Sequence, residues 1–166
     1  MKTASLLIVA LIAVGSGAST DVQAAPLPAN SPLLMWQPAN RIVGVWEFQV
    51  QTFNCATRVP GASFRASSVF NVGGTLEDTN TRPPASRGPA FGVWTYDPQA
   101  RAYLTRSRLY RYNPDGSFAG VNQVERTLKL SRDGDQATSE ITVRILGPNE
   151  ELLATDCASQ QGTRSL

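Results

Sequence analysis

The stretch RIVGVWEFQVQTFNC, residues 41–55, decides the fold. Trp46, Phe48 and Val50 are apolar, while Glu47, Gln49 and Gln51 between them are polar. Alternation with a period of two marks a β-strand that buries one face. Phe53 is the apolar exception on the polar side. Trp46 is therefore expected to point inward, and Cys55, on the opposite parity, outward.

Working outward, the pattern repeats as strands cut by turn residues. Strands are expected over residues 42–53, 62–72, 75–79, 91–97, 101–112, 118–131, 137–146 and 152–164. Gly73-Gly74, DPQA (97–100), NPDG (113–116), RDGD (132–135) and GPNE (147–150) supply the breaks. TRPPASRGPA, residues 81–90, is longer than a hairpin needs and either covers a barrel mouth or forms a stiff surface loop. No segment shows a helical repeat. An open meander of eight strands would leave two edges for aggregation, so the fold class expected is all-β, an eight-stranded antiparallel up-and-down barrel.

Parity also tests closure. On the last strand Leu152, Ala154 and Arg164 share a face and Cys157 takes the other. An antiparallel pairing that sets Trp46 opposite Arg164 leaves Cys55 one diagonal step from register with Cys157, which a bulge absorbs.

The 166 residues start with Lys2, an apolar run over residues 5–14 and an A-x-A-like site at Val22-Gln23-Ala24. This reads as a signal peptide, residues 1–24, with Ser16-Gly17-Ala18 as the second cleavage choice. Residues 25–40 are rich in proline and are expected to be an extended leader; residues 41–166 form the barrel domain. The apolar run is too short to span a bilayer, and no later stretch is apolar enough to cross one. An exported, periplasmic or extracellular protein is expected. Its two cysteines then read as a disulfide, with a free thiol pair as the alternative. A net charge of +2 does not suggest a nucleic-acid partner. Histidine is absent, so Ser-His-Asp and Cys-His catalysis and histidine metal sites are excluded. No cofactor is called for.

Gly44-Val45-Trp46 together with Arg164 resembles the lipocalin signature of the calycin superfamily, in which a first-strand tryptophan packs on a last-strand arginine. Asn54-Cys55, GGTL at residues 73–76, Gly92-Val93-Trp94 and Cys157 add a resemblance to small exported bacterial proteins with a lipocalin-like barrel and no assigned activity. The helix that flanks true lipocalin barrels and their second and third motifs are missing. The resemblance implies barrel closure by Trp46 and Arg164.

Phe48, Phe64, Phe70, Trp94, Tyr96, Arg106, Arg108, Tyr110 and Asp156 are the candidate cavity residues. Arg106, Arg108, Tyr110 and Tyr112 share one face, and an Arg-x-Tyr set inside a barrel holds a carboxylate. Tyr103, Leu109 and Arg111 make the other face an equal candidate for the interior. Leu76, Val124, Leu128, Ile141, Val143, Ile145 and Leu152 complete the expected interior, and Asn122, Arg126 and Asp156 fall on the same parity and need partners there. Glu77 and Asp78 are adjacent and point to opposite faces. The function expected is non-catalytic binding of a small apolar or amphipathic molecule by a monomer. The alternatives are an isomerase or cyclase resembling allene oxide cyclase, and an envelope protein-interaction domain.

Overall fold

The structure, a computed structural model, describes residues 38–165. Residues 1–37, which take in the expected signal peptide and most of the expected leader, lie outside the described residues. Eight strands follow in order: β1 Gly44–Phe53, β2 Pro60–Phe70, β3 Thr75–Asn80, β4 Ala90–Asp97, β5 Ala102–Tyr112, β6 Phe118–Leu130, β7 Gln136–Leu146 and β8 Leu152–Arg164. Each pairs antiparallel with its neighbours, and β1 pairs with β8, so the sheet closes into an up-and-down barrel. Every backbone edge is thereby used, as the meander required. Among the described residues no helix is long and apolar enough to cross a membrane.

The leader differs from expectation at its end. Pro38–Ile42 forms a 3-10 turn, and Ile42 is fully buried. Proline is tolerated in a first helical turn, where its missing N–H has no partner to lose. The turn brings the Pro38 carbonyl to the Tyr103 hydroxyl at 2.7 Å and the Ile42 carbonyl to Trp46 Nε1 at 2.7 Å. It is the lid of one barrel end.

Register follows the parity argument. Trp46 faces Arg164 across β1 and β8, and Phe53 faces Cys157. Cys55 lies two residues beyond β1 and forms the disulfide with Cys157, their Cα atoms 5.1 Å apart. The two glycines of the Gly-x-Trp triplets serve different ends. Gly44 has φ 135°, a region L side chains avoid. Gly92 has an ordinary φ, but a Cβ there would stand 2.1 Å from the Arg106 carbonyl oxygen.

The core is polarised along the barrel axis. Ile42, Trp46, Phe48, Phe70, Leu76 and Leu128 are at most 2% exposed and fill the end under the 3-10 turn. Each contributes roughly 1.5–3 kcal/mol by burial. Trp46 and Phe48 stack with centroids 6.2 Å apart, and Tyr103 packs on both Trp94 and Tyr96. Leu152 departs from the expected interior and is 54% exposed. It follows a register shift at Ile145/Leu146, where the β7–β8 ladder is irregular and the strand end leaves the core.

Candidate ligand cavity

Beyond this packed end the barrel interior is not filled. A cavity of about 260 Å³ opens there, lined by residues from all eight strands. Its apolar wall includes Val50, Phe64, Leu109, Val124, Ile141 and Val143. An eight-stranded barrel sits at the size where either outcome is available.

Polar groups interrupt that wall. Arg126 on β6 meets Asp78 on β3 at 3.0 Å, with side chains 3% and 12% exposed. Ser68 on β2 donates to the same Asp78 oxygen at 2.8 Å and accepts from Arg126 Nη1 at 3.4 Å. β3 and β6 are not neighbours, so the pair spans the barrel interior. A buried charge pair needs such extra bonds to offset the loss of water. Ser107 Oγ, Asn122 Oδ1, Gln160 Nε2, Arg111 Nε and Arg126 Nε are buried with no hydrogen-bond partner, and all five residues line the cavity.

The rim carries the remaining charge. Arg82 and Asp156 are exposed and line the mouth. The Arg82 guanidinium lies 4.4 Å over the Phe64 ring. Arg111 donates through Nη2 to the carbonyls of Leu146 at 2.9 Å and Ala119 at 3.2 Å. The segment over residues 81–90 contains a 3-10 turn, Pro84–Ser86, and is held to β5 by a bond from Gly88 N to the Tyr110 carbonyl. Burial pulls the Arg87 guanidinium in this segment below its ordinary pKa, and the nearby Asp78 charge opposes that.

At the opposite end Arg164 lies 4.5 Å over the Trp46 ring. Its fork donates to the carbonyls of Val43, Arg41 and Gly134. Burial lowers its pKa, and Asp135 at 3.6 Å works the other way. Guanidinium suits this position because it stacks on indole while still serving several acceptors.

The candidate cavity residues separate into three groups. Phe64 and Asp156 line the cavity. Phe48, Phe70, Trp94 and Tyr96 belong to the packed end instead. Arg106, Arg108 and Tyr110 face solvent, which corrects the carboxylate site drawn from them. Arg106 pairs outside with Glu125 and Arg108 with Glu150, and Tyr110 is 58% exposed. The inner face of β5 is Tyr103, Thr105, Ser107 and Leu109, all buried. Two arginines on that face would have to be desolvated without acids opposite them. The Ser68–Asp78–Arg126 group was not recognised as a unit from sequence. Its one signal was parity: Asp78 shares a face with Leu76, and Arg126 shares one with Leu128.

Among the described residues no cluster of three His, Cys, Asp or Glu could hold a metal ion. No protein-family model, curated protein or solved structure matches this chain.

Proposed function

We propose that the protein is an exported, lipocalin-like barrel that binds a small apolar or amphipathic molecule without transforming it. The cavity carries the reading: a lining contributed by all eight strands, apolar from every strand but β3 and broken by a few convergent polar groups. The closed end supports the lipocalin-like part, because a first-strand tryptophan meets a last-strand arginine. The disulfide and the sequence of residues 1–24 support export, since such bonds persist in oxidising compartments.

Two experiments test it. N-phenyl-1-naphthylamine, a neutral apolar fluorophore, should brighten when mixed with the protein and be displaced by apolar competitors. Native mass spectrometry of protein purified from the producing cell should retain a ligand mass. A dark fluorophore together with a ligand-free mass would overturn the reading.

A second reading, a barrel isomerase or cyclase, has the position of Asp156 in its favour, a carboxylate at the cavity wall. Glu77 and Tyr110 lend it nothing, because neither lines the cavity.

A further inference from the structure

The deep wall of the cavity defines the polar end of the ligand; this inference rests on the binding reading above. The Asp78–Arg126 pair sets the local charge at zero, one carboxylate for one guanidinium, both taken out of water. Ser107, Gln160 and Arg126 itself are respectively 4%, 3% and 5% exposed. Each lines the cavity and carries a buried polar atom with no partner: Ser107 Oγ, Gln160 Nε2 and Arg126 Nε. Two of these atoms are N–H donors, and a serine hydroxyl also donates. Buried donors without acceptors are costly, so the wall around Arg126 calls for an acceptor oxygen; Asn122 Oδ1, an acceptor left unpaired on the same cavity wall, lies four residues along β6 from Arg126.

We propose that the cavity takes a molecule whose polar end is an uncharged oxygen, of the ketone, ester or alcohol class, and that Asp78 is the residue that turns carboxylates away. A carboxylate accepting from Arg126 Nε would share one guanidinium with Asp78. The site would then hold a second buried negative charge with no counterion of its own. Adding an unpaired charge to a desolvated site costs far more than placing a neutral carbonyl there. The other charges do not change this balance. Arg82 and Asp156 stand at the exposed rim, where water and salt screen them. Arg111 is a further guanidinium on the cavity wall, but it lies six residues along β5 from Thr105, the residue in register with Arg126, about 20 Å at a strand's rise per residue, and so it is no counterion for a head group at Arg126. Arg87 feels the Asp78 charge, but it is not on the cavity wall, and its Nε donates to the Gly88 carbonyl.

The test is displacement of bound N-phenyl-1-naphthylamine at neutral pH by decan-2-one, methyl decanoate and decanoate. The ester and the acid differ at the head group alone. Decan-2-one and methyl decanoate should displace the fluorophore at concentrations roughly tenfold or more below decanoate, since each 1.4 kcal/mol of added penalty is a factor of ten. Asp78→Asn should close or invert the gap, because Arg126 is then left with an uncancelled charge. Asp78→Asn can fail to fold, and the comparison in the unsubstituted protein stands without it. Decanoate displacing as well as methyl decanoate would overturn the proposal and leave the binding reading intact. A folded Asp78→Asn that keeps the original preference would overturn the role of Asp78. A fluorophore that never binds, together with a ligand-free native mass, would remove the binding reading and this proposal together, whereas a dark fluorophore with a retained carboxylic acid would overturn this proposal alone.

Discussion

Arg164 and Trp46 show how much one contact asks of each partner. The indole is fully buried, and its Nε1–H is satisfied by the Ile42 carbonyl at 2.7 Å. The guanidinium stacks on its face and ties two backbone segments, residues 41–43 and the turn at Gly134, to β8. Trp46→Ala should lose about 3–5 kcal/mol, the usual range for emptying a large aromatic site. Arg164→Lys keeps the charge but loses the planar fork, and a loss of roughly 1–3 kcal/mol is expected from carbonyls left short of donors. Urea unfolding followed by tryptophan fluorescence measures both; an Arg164→Lys protein as stable as the parent would mean that charge, not geometry, is what matters there. Gly92→Ala belongs to the same class of effect. The added methyl meets backbone rather than a movable side chain, so the strand must shift.

The first strand is tied to the last by two different means. The ladder from Trp46 to Phe53 pairs it with β8, and the Cys55–Cys157 bond secures the end of that ladder. The linked cysteines are 102 residues apart, a loop for which chain entropy gives a stabilisation of roughly 4–5 kcal/mol. Reduction, or a double Cys55→Ser, Cys157→Ser substitution, should therefore lower the melting temperature by equal amounts. The barrel should stay folded at ambient temperature, because the ladder and the packed end remain. Far-ultraviolet circular dichroism with and without reductant checks this, and loss of strand signal on reduction at ambient temperature would contradict it. The bond also borders the cavity, since Cys157 is part of its wall.

Taken whole, the barrel is asymmetric: one end is packed and capped, the other holds the cavity. The cap makes stability sensitive to alkali. The Tyr103 hydroxyl bonds to the Pro38 carbonyl, and burial first, then the neighbouring Tyr96, pushes its pKa from 10.0 up to about 12. The neutral phenol is favoured in the folded state. Its stabilisation is thus complete below pH 10 and is lost as the pH rises from there through about 12. Ultraviolet titration should show one of the four tyrosines ionising last, and Tyr103→Phe should remove that late step and flatten the stability profile above pH 10. A Tyr103→Phe protein with the same late step would assign it to another tyrosine.

Strand alternation, turn residues and the need to remove free edges were enough to read eight strands, their order and their closure. Strand ends fell within two residues of the observed bounds for each element, because proline, glycine and aspartate punctuate the chain there. Alternation also placed Trp46 inward, since tryptophan and phenylalanine at every second position leave one choice of face. On β5 it did not, because both faces carry aromatic and basic residues. There the decision came from neighbours: Trp94 and Tyr96 offered packing to Tyr103, and Glu125 and Glu150 drew the arginines outward. The Asp78–Arg126 pair lay further out of reach of sequence. Its members are 48 residues apart on strands that never touch as neighbours, and closure alone brings them together. Local pattern determines which way a side chain points from its own strand. What it meets across the barrel is a property of the closed sheet, and for this protein that difference separates the fold from the cavity.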